Sequence, residues 1–260
     1  GSVSMKLVIL AGGYGTRLAE RTDLVPKPMV EIGGKPMLWH IMKVFSHQGF
    51  TNFIVALGYK GESIKEFFLN YKSFQSDLTI NLESGKVDLH SNDDVDDWTV
   101  TLVDTGADVM TGGRIRRLRP FIGDDTFMMT YGDGIADVNL GKLVDFHKRQ
   151  GTKATLTAVH PKAHYGELDL DGGLVTHFME KPIFRQSWIN GGFMVLEPSV
   201  IDLIDGDDTV FEREPLEKLS QSGQLSAYKH PGFWQCMDTL RDVRYLNSLW
   251  DSGTAPWRIW

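Results

Sequence analysis

Apolar residues recur along this chain in two rhythms. Strand-forming runs occur at 7–10, 53–57, 99–103, 127–131 and 154–159. Short uninterrupted runs of this kind predict strands buried on both faces, as in a parallel sheet. Between them the apolar positions shift to helical spacing. Over 36–47, Met37, Leu38, Ile41, Met42 and Phe45 share one stripe, Pro36 suits the first turn and Gly49 ends the run. The segment 61–71 predicts a second helix with Ile64, Phe67 and Phe68 inward, and 140–150 a third, closed by Gly151.

The later chain reads as more of the same. A loop at 160–166 leads to a hairpin of 167–170 with 174–178 around Asp171-Gly172-Gly173. Helices are expected at 199–204 and 211–221, and strands at 224–229 and 233–237. A last helix, 240–250, starts at Thr239 and turns Leu240, Val243, Leu246 and Leu249 inward. The tail beyond it carries Pro256, Trp257 and Trp260, and is expected to cover either another subunit or its own core. One stretch breaks the pattern. Leu78, Ile80, Leu82 and then Val87, Leu89 alternate about Ser84-Gly85, which predicts a hairpin followed by an acidic loop over 92–97. The expected fold is α/β: a single Rossmann-like doubly wound domain with a mixed, mostly parallel central sheet and a small β-hairpin excursion.

Composition narrows the function. At 260 residues, 42% hydrophobic and 23% charged, the chain can bury a full core. A net charge of −7 leaves no basic footprint for nucleic acid or a membrane surface. Cys236 is the single cysteine, so no intramolecular disulfide forms and a reducing, cytoplasmic setting is expected. No apolar run approaches the roughly 20 residues of a membrane span, and no leader segment is evident. Residues 1–4, ahead of Met5, read as an expression-tag scar.

An acidic chain that binds a polyanion must gather positive charge locally. The strand at 7–10 runs directly into Ala11-Gly12-Gly13-Tyr14-Gly15-Thr16-Arg17-Leu18. Glycines there let the backbone turn sharply and present its N–H groups at close range, which makes an anion site. By themselves they fit an ordinary strand-to-helix turn equally well. Arg17, and Lys27 held in Val25-Pro26-Lys27-Pro28-Met29, tip the reading to phosphate. Neither familiar nucleotide motif is present: G-x-x-x-x-G-K-[ST] is absent, and Leu18 stands where a dinucleotide fingerprint needs its third glycine.

Other candidates are weaker alone. Asp133, between Gly132 and Gly134 at a strand end, is either a ligand group or a plain turn. Thr111 could cap the helix that carries Ile115 and Leu118, and by residues alone that is an ordinary helix start. The eight histidines show no paired ligand spacing; His160 and His164 are split by Pro161, so no zinc is expected.

Leu10 to Leu18 with Pro26-Lys27-Pro28-Met29 resembles the signature of the sugar-phosphate nucleotidyltransferases. Asp104-Thr105-Gly106, Met110 to Arg114, Tyr165-Gly166, Glu180-Lys181-Pro182, Ile189-Asn190-Gly191-Gly192-Phe193 and Trp-Gln-Cys-Met-Asp-Thr-Leu at 234–240 follow in the family's order. The likeness covers nearly the whole chain from Met5. It implies one domain over 5–260, with a nucleotide-binding half at about 5–135, a sugar-phosphate half at about 136–240, and the helix and tail at 239–260. It also implies nucleotidyl transfer by in-line attack, with Mg²⁺ as cofactor.

The resemblance assigns Leu10, Ala11, Gly12, Gly13, Tyr14, Gly15 and Thr16 to the nucleotide, with Arg17 and Lys27. Thr111, Gly112, Arg114 and Asp133 complete that set. Tyr131, Gly132, Gly166, Glu180, Lys181, Asn190 and Gly191 fall to the sugar phosphate. Arg17, Lys27 and Lys181 would be the catalytic cations, and Asp133 and Asp238 the metal ligands. Within the family, 104–114 resembles the enzymes that use CTP, which implies CTP and glucose 1-phosphate as substrates. UTP, dTTP or another sugar remain alternatives, since the loop 183–188 and Lys162-Ala163-His164-Tyr165 depart from the pattern expected near the sugar. A non-catalytic nucleotide-sugar sensor on the same fold would not need both carboxylates. A homo-oligomer, with a hexamer among its forms, is also implied.

Overall fold

The structure is a computed structural model that describes residues 5–14, 18, 24–90, 96–161, 167–171, 173–179 and 187–260. Its central sheet is mixed and mostly parallel. Strand β1 (Lys6–Leu10) lies between β2 (Asn52–Leu57) and β4 (Phe127–Tyr131), parallel to both, and β3 (Thr99–Asp104) extends the sheet from β2. Beyond β4 the direction changes. Strands β6 (Ile189–Asn190) and β7 (Met194–Leu196) both run antiparallel to β5 (Ala154–Val159), and β7 pairs antiparallel with β4. Strand β8 (Leu225–His230) returns parallel to β5.

Alternation along β1 explains why helices cover both faces. Leu7 and Ile9 pack into one cluster with Leu38, Phe45, Val243 and Leu246. Val8 and Leu10 pack into a second with Ile115, Leu118, Phe127 and Phe211. The helices that contribute to the two clusters are α1 (Met37–His47), α2 (Glu62–Leu69), α3 (Thr111–Arg117), α4 (Leu140–Gln150), α5 (Glu214–Gln221) and α6 (Leu240–Asp251). Local signals set several of their ends. Asn139 caps α4 by accepting from the Lys142 N–H, and Gly151 closes it at a φ of 67°. Helix α6 opens on a reciprocal box between Thr239 and Asp242.

The expected elements are present with adjusted limits. The helix predicted over 61–71 breaks into α2 and a short turn at Tyr71–Phe74; Ile64 is fully buried, while Phe67 and Phe68 are half-buried, with Phe67 edge-on to Phe68 and Tyr71 and Phe68 stacked on Tyr71. The 199–204 helix is a 3-10 helix, Pro198–Leu203. Helix α5 begins three residues later than predicted, with Pro215 in its first turn. The strand predicted at 233–237 is Trp234–Cys236, paired with Gly134–Ala136 away from the main sheet. Thr111 does not cap α3 but is its first residue, because its hydroxyl is engaged elsewhere.

The excursion is a separate two-stranded hairpin, Asp77–Ile80 with Val87–His90, and Leu82 lies in its turn, 87% exposed. The acidic loop that follows falls largely outside the described residues. Trp257 is 1% exposed in the first cluster, so the tail folds back on its own core. Among the described residues no helix is long and apolar enough to cross a membrane.

Candidate active site

The C-terminal ends of β1 and β4 open into a cavity of about 440 Å³. Parallel strands leave such a crevice where the chain crosses to opposite faces of the sheet. Leu10, Ala11, Gly13, Tyr14, Lys27 and Pro28 form one wall, 107–111 and Arg114 a second, and Tyr131, Gly132 and Asp133 a third. Most residues expected at the nucleotide therefore meet in one place. Gly15, Thr16, Arg17, Gly166, Glu180 and Lys181 lie outside the described residues.

The glycine turn is held through its carbonyl oxygens. Gly132 N–H donates to Leu10 O, and Tyr59 N–H donates to Gly12 O. Arg114 then clamps the turn. Its guanidinium donates to Gly12 O at 3.1 Å, Gly106 O at 2.8 Å, Ala107 O at 3.3 Å and the Thr105 hydroxyl at 2.8 Å. Gly12 is glycine for this reason: a Cβ there would stand 2.2 Å from Arg114 Nη1. Arg114 was expected as a nucleotide contact. It does line the cavity, and it also ties the β1 turn to the turn after β3. Burial lowers its pKa, with its carbonyl partners compensating for lost water.

Gly112 sits behind the wall. Its N–H donates to Thr209 O, and a Cβ would come within 2.6 Å of that oxygen.

Lys27 is placed by close packing. Its backbone forms a 3-10 turn, Lys27–Met29, and Pro28 lies so near Gly132 that a Cβ on the latter would be 2.7 Å from the proline ring. The lysine Nζ reaches Asp133 Oδ2 at 2.9 Å and Asp238 Oδ1 at 2.8 Å. Burial works against its charge, but Asp133 and Asp238 outweigh that and raise its pKa, so it stays an ammonium. Two carboxylates from strand ends 105 residues apart in sequence thus converge on one cation position. A pair of hard oxygen donors aimed at one point suits a divalent cation such as Mg²⁺. Among the described residues no three His, Cys, Asp or Glu side chains converge.

Asp238 is itself fixed from below. Asp242 Oδ2 accepts its N–H and that of Thr239, each at 2.9 Å. The Cys236 thiol donates to Asp238 Oδ2 at 3.2 Å. Burial, then Asp238, push that thiol up to about 12, so it is a packed, protonated group, as expected for a strand residue.

The chain leaving β6 passes close to Tyr131 at the end of β4. Asn190 Oδ1 accepts the Gly192 N–H at 3.0 Å, Gly191 O accepts from the Trp234 indole at 2.9 Å, and Gly192 (φ 78°) lets the chain pass the Tyr131 ring. Asn190, through its side chain, and Gly192, through its backbone, thereby stand beside Tyr131, while Gly191 lies against Val159.

A family model for nucleotidyl transferases matches residues 6–253. The chain belongs to the nucleotidyl transferase family. This nucleotidyl transferase is 55% identical to the glucose-1-phosphate cytidylyltransferase of Salmonella typhi over 257 residues, which covers 98% of the chain and 100% of the relative. It is 43% identical to a probable glucose-1-phosphate cytidylyltransferase of Bacillus subtilis, again over 98% and 100%. Among solved structures it resembles HddC from Yersinia pseudotuberculosis at 25% identity and a TM-score of 0.69, covering 95% of the chain and 99% of that one.

Sequence reasoning missed Glu212. It bridges Thr111 and Tyr131 behind the cavity wall, through contacts 101 and 81 residues apart in sequence. No local pattern announces such a link.

Proposed function

We propose that the enzyme joins CTP and α-D-glucose 1-phosphate to give CDP-glucose and diphosphate. The observation that carries this reading is the near-complete alignment with the Salmonella cytidylyltransferase, supported by a cavity lined by Lys27 and Asp133, with Asp238 paired to the same Lys27 ammonium.

A phosphate monoester has a second pKa of about 6, so glucose 1-phosphate arrives already charged and needs no general base. The obstacle is repulsion between two polyanions, which calls for fixed cations and backbone donors. The 12–14 turn, braced by Arg114, would offer N–H groups to the triphosphate, the Ala11 N–H being taken by Ala56 O. Lys27 lies within reach of the α-phosphate position and of the incoming phosphate. Arg17 would take charge on the leaving diphosphate, and Lys181, with Glu180 and Asn190, would seat the sugar phosphate. Asp133 and Asp238 would hold Mg²⁺, which when bound offsets negative charge on the α-phosphate. The nucleotide and sugar-phosphate halves then meet at β4. Cytoplasmic location and assembly as a homo-oligomer, a hexamer among the options, complete the reading.

One assay tests it: diphosphate release with each of four NTPs crossed with a panel of sugar 1-phosphates, with and without Mg²⁺. Release is expected with CTP and glucose 1-phosphate in the presence of the ion. Preference for UTP or dTTP would replace the nucleotide, and silence with every pair would leave only a binding role.

A further inference from the structure

Glu212 sits just before α5, half-buried behind the cavity wall. Its Oε2 accepts the Thr111 hydroxyl at 2.6 Å, and its Oε1 accepts the Tyr131 hydroxyl at 2.7 Å. A carboxylate can only accept, so the single hydrogen of each hydroxyl must point at Glu212. Thr111 Oγ1 also accepts the Phe211 N–H at 2.9 Å, which anchors the same corner to the backbone. Both hydroxyl residues line the cavity, one on the nucleotide wall and one beside Asn190 and Gly192. Thr111 Oγ1 then has one lone pair left, and the Tyr131 oxygen already receives a hydrogen bond from the Asn190 side chain, so neither hydroxyl has a hydrogen to give a ligand.

The Tyr131 oxygen is not a free rotor. Gly192 passes close enough that a Cβ would be 3.0 Å from the ring, and burial followed by the Glu212 charge pushes the phenol far above its ordinary pKa. It therefore stays a phenol whose hydrogen is spoken for.

We propose that Glu212 is a specificity-determining positioning residue. By taking both hydrogens it turns Thr111 and Tyr131 into acceptors, so the cavity selects a ligand that donates a sugar hydroxyl at that place. An analogue lacking the hydroxyl leaves the last acceptor position of the wall unfilled, chiefly the free lone pair of Thr111 Oγ1, and so forfeits one hydrogen bond. The inference rests on the function proposed above. The donor is a hydroxyl of either the ribose of the nucleotide or the hexose of the sugar phosphate, and the two are separable.

The test compares kcat/KM for CTP against dCTP, and for glucose 1-phosphate against 2-deoxyglucose 1-phosphate, in wild type and in Glu212→Gln. The amide keeps the shape but brings its own N–H donors, so one hydroxyl is freed to turn its hydrogen into the cavity. In one arm the preference for the hydroxylated substrate is expected to fall about tenfold, mainly through KM, a scale set by one hydrogen bond. That arm identifies which sugar is read. Thr111→Ser keeps the hydroxyl and should keep the preference, whereas Thr111→Val or Tyr131→Phe should lose it in the same arm. A change in packing alone would lower the melting temperature and leave both ratios where they were. Unchanged ratios in Glu212→Gln would overturn the proposal. If that variant does not fold, unchanged ratios in both Thr111→Val and Tyr131→Phe overturn it equally. Wild type that turns over no cytidine nucleotide would defeat the functional reading and this inference with it; active wild type with unmoved ratios defeats the inference alone.

Discussion

The cluster around Lys27 and the cluster around His40 both withdraw polar groups from water, yet they are built for opposite ends. His40 is fully buried, and the Trp257 indole donates to its Nδ1 at 3.2 Å while its Nε2 lies 2.6 Å from Ile32 O. An indole N–H can only donate, so Nδ1 accepts and Nε2 carries the hydrogen. Both ring nitrogens are thus satisfied within the chain, and Trp39, Trp250 and Trp260 pack around the ring. Lys27 is nearly as enclosed, at 16% side-chain exposure, but Asp133 and Asp238 are 32% and 36% exposed. Its partners are carboxylates still open to solvent, where incoming ions can compete for them. Burial of a polar group does not mark a site; replaceable partners do.

The contrast can be broken or sharpened at four points. Trp257→Ala should cost about 3–5 kcal/mol in urea unfolding, the range for deleting a fully buried large aromatic, and leave substrate affinity of the folded fraction unchanged. A loss below about 1 kcal/mol would mean the tail is not part of the core. Next comes acid. Burial lowers the His40 pKa from 6.5 to about 4. The unfolded chain therefore takes up this proton first, and stability should fall as pH drops from about 6.5 to 4, by on the order of 3 kcal/mol. Comparing unfolding free energies over this range in wild type and His40→Asn should show that slope shrink in the variant; equal slopes would contradict a neutral, captive imidazole.

Lys27→Ala should lower turnover by at least ~100-fold, the scale of one preorganised charge-stabilising donor, with a near-native circular dichroism spectrum. Turnover close to wild type would erase the difference between the clusters. The smallest effect concerns Cys236. With its thiol held at about 12, iodoacetamide should label it slowly at pH 8 in the native enzyme and readily in urea. Asp238→Asn removes one cause of the shift and should speed native labelling; rapid labelling of wild type would show the strand edge open.

Much of the scaffold was legible because its signals are local. Four apolar residues before Gly12, the stripe from Met37 to Phe45, and Thr239 with Asp242 each announce an element within a dozen positions. The site was legible in pieces. The glycine turn and Lys27 could be argued from chemistry, but their meeting with Asp133 and Asp238 spans 106 and 211 residues and was supplied by family resemblance. Arg114 as a clamp on Gly12 O, 102 residues away, and Glu212 behind Thr111 had no local trace. Thr111 was misjudged as a cap for the same reason, since a distant carboxylate competes for its hydroxyl. The tail had two destinations by composition, and only the packing of Trp257 under His40 chose between them.

That packing has a bearing on biogenesis. His40 leaves the ribosome 217 positions before the indole that seals it. Until then the first core layer is open to water, and a nascent chain must keep that apolar floor from wrong partners. Completion of the fold therefore waits for the stretch around Trp257 rather than for the first half-domain, and a lesion there would be felt in the oldest part of the core.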